Sequence, residues 1–245
     1  VLLGSGPLTA IGNSQNNILH GNSGAINYLW GGPRSDTIAG IDGNDVYYVD
    51  DPLDQVLETN AAPSGGARDT VVSSISYTLG AHVEHLLLAG HAAIDGDGNS
   101  LANYIEGNSA ANRLDGGPDA DTMKGNDGND TYNVDSIYDV VTEINGDLET
   151  GGLDTVVSTV SYTLGTNLEQ LLLAGEAPTT AMGNGLDNYL EGNAARNYLW
   201  GGAGLDTMLG NDGDDTSYVD QPGDRQAETN GSLASGGRDT VVSSI

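Results

Sequence analysis

Cysteine and phenylalanine are both missing from this sequence of 245 residues, and aromatic side chains of any kind make up 5% of it. Without cysteine there is no disulfide scaffold and no structural zinc site of the thiolate kind. With an apolar content of 37% and so few large rings, a wide globular core is hard to fill, whereas a narrow core built from thin layers is not. Positive charge is scarce as well: 7 Lys and Arg face 35 Asp and Glu, a formal net charge of -28. That balance excludes nucleic acid as a partner, and it makes a compact state repel itself unless cations neutralise it. No apolar run approaches the roughly 20 residues that cross a bilayer as a helix, and no basic-then-apolar leader opens the chain. A soluble protein is expected, with any export signal outside this sequence. Catalytic patterns are absent too: there is no G-x-S-x-G elbow, phosphate-binding glycine loop or H-E-x-x-H pair. The four histidines, His20, His82, His85 and His91, do not recur with the repeat described next, so no enzyme is expected.

What the sequence has in abundance is glycine, 37 residues, and repetition. DTVVSSISYTLG at Asp69, DTVVSTVSYTLG at Asp154 and DTVVSSI at Asp239 are spaced 85 residues apart. The chain reads as one continuous β-solenoid, 1–245, made of a partial unit over 1–68, full units over 69–153 and 154–238, and the start of another over 239–245. Both ends cut through a repeat, as expected of a segment from a longer array. Acids held at fixed positions between Val, Leu, Ile and Tyr segments argue against a disordered acidic chain.

A nine-residue period runs inside each unit. GNSLANYIE, GNSAANRLD, GGPDADTMK and GNDGNDTYN follow without a gap from Gly98 to Asn133. Gly opens each, the sixth position reads Asn103, Asn112, Asp121 and Asp130, and the eighth is the apolar series Ile105, Leu114, Met123 and Tyr132. Gly permits a tight turn, and the eighth residue is flanked by outward-pointing neighbours. The pattern predicts a six-residue turn and a three-residue strand per unit, with strands stacked about 4.8 Å apart. Tyr28 and Trp30, like Tyr198 and Trp200, flank an inward Leu and are expected to face outward. Asp154 to Leu164 reads as one longer strand with Val156, Val160, Tyr162 and Leu164 on one face, Ser73 to Ser76 as a solvated strand face, and Asp135 to Gly152 as surface loops.

The acids cluster. Asp36, Asp42 and Asp45 in the first copy, Asp119, Asp121, Asp127 and Asp130 in the second, and Asp206, Asp212 and Asp215 in the third occupy consecutive turns. Gly31, Gly116 and Gly201 open those turns and can offer backbone carbonyls. A second set follows at the same spacing: Asp50, Asp54 and Glu58; Asp135, Asp139 and Glu143; Asp220, Asp224 and Glu228. A hard dication takes about six to eight oxygens from carboxylates and bent backbone carbonyls, which is what these turns supply. The second set either completes the last site of each run or caps the stack.

The units resemble the RTX nonapeptide repeat, G-G-x-G-x-D-x-U-x, a calcium-binding parallel β-helix motif. GGAGLDTML at Gly201 matches at every position; GGPDADTMK and GGPRSDTIA carry Asp119 and Arg34 in place of the fourth-position Gly. The resemblance implies an all-β fold, a parallel β-roll with two units per coil, and several calcium ions, clustered once per repeat between turns on the same side. It implies that sites pair unit n with unit n+2, with Asn103, Asn112, Asn188 and Asn197 forming neutral ladders. It also implies a secreted or surface-bound bacterial protein, exported unfolded by type I secretion and folded by calcium into a stiff rod: a spacer, filament, adhesin stalk or matrix component. The alternatives are an appendage of a secreted enzyme and a glycan-binding module using the exposed Tyr and Trp. Expected partners are calcium, neighbouring repeats or further copies end to end, and glycans or a cell surface.

Overall fold

A computed structural model describes residues 4, 6–58, 68–228 and 236–245. Among these residues every regular element is a β-strand, and no helix is long and apolar enough to cross a membrane. The chain forms two compact units, Val1–Lys124 and Gly125–Ile245.

The first unit contains β1 (Leu8–Ile11), β2 (Ile18–His20), β3 (Asn27–Trp30), β4 (Thr37–Ala39), β5 (Val46–Val49), β6 (Gln55–Leu57) and β7 (Thr70–Ser73). It continues through β8 (Tyr77–Thr78), β9 (His85–Leu88), β10 (Gly96–Asp97), β11 (Tyr104–Glu106), β12 (Arg113–Asp115) and β13 (Thr122–Lys124). The odd-numbered strands pair in parallel in the order β1-β3-β5-β7-β9-β11-β13, while β2-β4-β6 and β8-β10-β12 form separate sheets. A strand therefore pairs with its second successor, which is the topology of a parallel β-solenoid with two strands per coil.

The second unit has β14 (Thr131–Val134), β15 (Val140–Thr142), β16 (Thr155–Ser158), β17 (Tyr162–Thr163), β18 (Gln170–Leu173) and β19 (Thr179–Met182). After these come β20 (Tyr189–Glu191), β21 (Asn197–Trp200), β22 (Thr207–Leu209), β23 (Thr216–Val219), β24 (Arg225–Ala227) and β25 (Thr240–Ser243). Its parallel ladders are β14-β16-β18-β20-β22-β24 and β17-β19-β21-β23-β25.

The eighth residue of the nonapeptide makes the core. Leu29, Ile38, Tyr47, Ile105, Leu114, Met123, Tyr132, Leu190, Leu199 and Met208 are all fully buried, and their neighbours on the short strands are not. Register stacks these residues directly: Leu29 pairs with Tyr47, Ile105 with Met123, and Leu190 with Met208. The core is one side chain deep from each sheet, as the shortage of aromatics requires.

Three local expectations change. Asp154 to Leu164 is not one strand: it breaks after β16, where Ser158 Oγ donates to Val160 O (2.8 Å) and accepts from Val160 N (3.2 Å). This hydroxyl turn sends the chain from one sheet to the other, so Val156 and Leu164 are buried while Val160 and Tyr162 are only partly so. Ser73 makes the same turn with Ile75 and is buried, not a solvated strand position. The stretch from Asp135 to Gly152 is not all loop, since β15 buries Val141 together with Asp139 and Glu143.

The 85-residue repeat also proves to be a half-integral number of coils. β12 is the equivalent of β3 one repeat later and the ninth strand after it, and nine is odd; accordingly β3 and β12 lie in opposing sheets of the first unit. In the second unit, β14 and its equivalent β23 are likewise in different sheets.

Because each coil contributes so few apolar side chains, a single truncation is felt strongly. Leu171→Ala, at a fully buried position between Val156 and Leu190, is expected to lower the stability of the calcium-loaded protein by ~2–5 kcal/mol, read from the urea midpoint.

Candidate metal centre

Each Asp-bearing turn folds its carboxylate back over its own first glycine. A Cβ placed on Gly31 would collide with Asp36 Oδ2 and Cγ, and one on Gly125 with Asp130 Oδ2, Tyr132 Oη and Glu143 Oε1. Glycine is needed there for close approach as well as for turning. Non-glycine residues pay for their places in these turns with backbone strain: Arg34 (φ 88°), Ile41 (φ 91°) and Asp119 (φ 97°) are all left-handed.

Carboxylates then stack in columns along the turns. Asp36 Oδ1 accepts from Asn17 N (2.6 Å), and Asp54 Oδ1 accepts from Asp36 N (2.9 Å). Asp45 Oδ1 accepts from Asn27 N (2.7 Å), Asp69 Oδ1 from Asp45 N (2.7 Å), and Glu84 Oε2 from Asp69 N (2.9 Å). The later copies repeat this: Asp121 takes Asn103 N (2.7 Å), Asp154 takes Asp130 N (2.8 Å), Asp206 takes Asn188 N (2.8 Å) and Asp215 takes Asn197 N (2.7 Å). One oxygen per aspartate is thereby satisfied. The other, Oδ2 of Asp36, Asp45, Asp206 and Asp215, is buried with no hydrogen-bond partner.

The Asn-bearing turns show what those oxygens lack. Asn103 Oδ1 accepts from Asn99 N (2.7 Å) inside its own turn, and its Nδ2 donates to Val83 O (3.1 Å) of the neighbouring coil. Asn188 does the same with Asn184 N (2.7 Å) and Leu168 O (3.0 Å). The amide NH₂ links coils by itself; a carboxylate has only acceptors and needs a cation for that link.

Among the described residues three tight carboxylate groups result, one per repeat: Asp45, Glu58 and Asp69; Asp130, Glu143 and Asp154; Asp215, Glu228 and Asp239, with ligand oxygens within 4.8 Å of one another in each. The middle group is the most enclosed, with its members 1%, 3% and 1% exposed. Like charges at that separation repel by on the order of 3–4 kcal/mol per pair at an effective dielectric constant of ~20. Burial pushes Asp69, Glu143, Asp154 and Glu228 each up to about 7, and Asp206 and Asp215 up to about 6, with neighbouring carboxylates adding to the rise. Tyr47 and Tyr132 reach out of the core to donate to Glu58 and Glu143, whereas the third copy has Ser217 at that position and Glu228 is held by Gln226 Nε2 (2.6 Å).

The donor set is all oxygen, anionic and partly unsatisfied, and so fits a hard dication. Calcium would be held by Asp45, Glu58 and Asp69 and their equivalents, and by Asp36, Asp121 and Asp206 in the alternate turns, supplying the positive charge these columns lack.

Other acids take different places. Asp54 uses Oδ1 for Asp36 N and Oδ2 for Asp50 N (3.3 Å) and Asp51 N (3.2 Å), closing the turn with backbone donors. Asp139 and Asp224 close theirs in the same way, onto Ser136 N (3.0 Å) and Gln221 N (2.9 Å). Asp42, Asp119 and Asp135 are exposed, Asp127 accepts from Asn145 Nδ2 (2.7 Å), and Asp212 is half-buried. Asp50 and Asp220 lie on the outer face, where Trp30 Nε1 donates to Asp50 (3.0 Å) and Trp200 Nε1 to Asp220 (3.2 Å). Gly31, Gly116 and Gly201 are buried beneath Asp36, Asp121 and Asp206. Sequence reasoning missed Asp69, Asp154 and Asp239 as site residues. The signal was the dipeptide Asp-Thr, which opens β7, β16 and β25 just as it opens the nonapeptide strands β4, β13 and β22.

A parallel β-solenoid whose turns carry columns of buried carboxylates defines a calcium-binding repeat protein. The RTX calcium-binding nonapeptide repeat matches this chain four times, at residues 9–25, 25–51, 97–132 and 182–216, and the chain thus carries RTX repeats. No curated protein matches it. The matched stretches contain Asp45, Asp130 and Asp215 but stop short of Glu58, Asp69, Glu143, Asp154, Glu228 and Asp239, so each group is completed from outside the nonapeptides.

Two outcomes follow from this geometry. Carboxyl groups raised to about 6 or 7 from ordinary values of 3.8 and 4.5 favour the metal-free fold below the ordinary value and lose that contribution as pH rises through the folded one. In chelator, β-structure is therefore expected to increase as pH falls from 8 to 4, while the calcium midpoint rises over the same range because protons compete for the same oxygens; circular dichroism reads both. Gly125→Ala, which forces a methyl against Asp130, Tyr132 and Glu143, is expected to cost ~1–3 kcal/mol and to raise the calcium midpoint.

Proposed function

We propose that this chain is a calcium-folded, non-catalytic structural segment of a secreted or surface-displayed bacterial protein, serving as a stiff spacer or stalk. The observation that carries the reading is the recurrence, once per repeat, of three carboxylates converging on one point in a chain with 7 basic residues for 35 acidic ones. Few of those carboxylates have a basic side chain available, and the ion pairs Arg113–Asp97, Arg113–Asp115 and Lys124–Glu106 sit on the sheet faces.

A cation that binds only the folded columns makes binding energy and folding energy the same quantity. Each site filled at a hundredfold its Kd adds ~2.7 kcal/mol to stability. Where free calcium is scarce the chain stays extended by its own charge, a state suited to passage through a type I secretion channel; outside, the ion closes the turns. Continuous parallel ladders then resist bending, and such stiffness is the property a spacer or stalk needs.

Calcium titration of the chelated protein, followed by far-ultraviolet circular dichroism, is expected to show a cooperative gain of β-structure that EDTA reverses. Complete β-structure in EDTA at pH 7.5, unchanged by calcium, would overturn the reading.

A further inference from the structure

Two aromatic grooves on the outer sheet faces are not used by the calcium columns. In the first unit, Trp30 on β3 sits in register with Ile11 on β1, Tyr48 on β5 and Val72 on β7, with Tyr28 two residues before it. Together with Asp50 they line a groove of about 540 Å³. In the second unit, Trp200 on β21 is in register with Met182 and Tyr218, with Tyr198 beside them, lining a groove of about 480 Å³. Both volumes fall in the range of small-ligand sites, ~300–1,000 Å³. The six rings remain 37–44% exposed although each belongs to a regular strand. The arrangement Tyr, Trp, Tyr, Asp recurs whole at positions 28, 30, 48 and 50 and at 198, 200, 218 and 220. The middle copy replaces it with Arg113, Asp115, Asn133 and Asp135, and there Arg113 bridges Asp97 and Asp115, each at 2.8 Å.

The geometry points to these two grooves as binding sites for a neutral saccharide. Each indole N–H is already committed to an aspartate, Trp30 to Asp50 (3.0 Å) and Trp200 to Asp220 (3.2 Å). That bond fixes the ring and leaves its π-face as an apolar platform, at little entropic cost on binding. Threonine and serine hydroxyls border the rings: Thr9 and Ser74 in the first groove, Thr180 in the second. A ligand for such a surface must offer a flat C–H face to the rings and hydroxyls to the rim, which a pyranose does. Its neutrality follows from the carboxylate beside each tryptophan, Asp50 in the first groove and Asp220 at the second, which repels an acidic polysaccharide or anionic lipid. Both grooves are open along the sheet, so an oligosaccharide lies across successive strands, stacking on Trp and then Tyr. The inference depends on calcium only through the fold.

The chain has two tryptophans, one per groove, so intrinsic fluorescence reports both sites. The full chain in saturating calcium would be titrated with cellohexaose, laminarihexaose, xylohexaose and chitohexaose, and with an alginate hexamer as the anionic arm. At least one neutral hexamer is expected to shift the emission and, by calorimetry, to bind at two sites per chain, whereas alginate does neither. Trp30→Ala should leave one site, and Trp30→Ala with Trp200→Ala should weaken binding about tenfold or more. Tyr48→Ala with Tyr218→Ala, which keeps both fluorophores, should weaken it too. Circular dichroism in calcium separates the causes: lost β-structure counts against the calcium reading, and intact β-structure without binding counts against the grooves. The inference is overturned if no neutral hexamer binds at millimolar concentration, if the double tryptophan variant binds as the parent does, or if sedimentation shows a dimer that this variant abolishes, since the grooves would then belong to a second copy.

Discussion

The rest of the structure depends on a buried carboxylate oxygen with no hydrogen bond. In an Asn-bearing turn one amide serves both directions, its oxygen taking a backbone N–H within the turn and its nitrogen reaching the preceding coil. Exchange that amide for a carboxylate and the shape of the turn survives, but the donor is gone and a charge has arrived. Stacked at the spacing of paired strands, such turns repel one another, and a dication held between them would supply the missing link. Ionic cross-links thus take the place of the disulfides and broad aromatic core that this composition rules out.

Core and ionic columns are mechanically one system. Tyr47 and Tyr132 fill the hydrophobic interior with their rings and orient Glu58 and Glu143 with their hydroxyls, so a change in packing is felt at the clustered carboxylate oxygens. The third copy is built otherwise: Ser217 occupies the interior position, Gln226 holds Glu228, and Asp239 is exposed. The middle group, closed on all three members, and the third, open on one side, are therefore unlike environments made from the same repeat.

Much of this was legible in the sequence because both periods are physical. The nine-residue spacing put one apolar side chain inward per strand, and Ile105, Leu114, Met123 and Tyr132 are all fully buried. The positions of Tyr28 and Trp30 on either side of Leu29 placed them outward, and they are exposed. What was not legible depends on side-chain hydrogen bonds or on counting strands. Ser158 in DTVVSTVSYTLG looks like one more alternating strand residue until its hydroxyl is seen closing a turn on Val160. Asp69 and Asp154 lie 24 residues beyond Asp45 and Asp130, outside any nonapeptide, and only parallel register brings them over their partners. Asp50 and Asp54 are four residues apart in one acidic run, yet one holds a tryptophan on the outer face and the other seals a turn.

An odd number of strands per 85-residue repeat has a consequence for how such a chain can change length. Each repeat adds four and a half coils, so a strand and its equivalent one repeat later face opposite ways within a unit. Within a unit, loss or gain of a single repeat by recombination would move a strand that follows it from one sheet to the other. Loss or gain of two would leave that strand in its original sheet. Viable length variants of this array should therefore differ by pairs of repeats wherever the side on which a feature is displayed matters, and the inherited unit is then the 170-residue doublet rather than the 85-residue repeat.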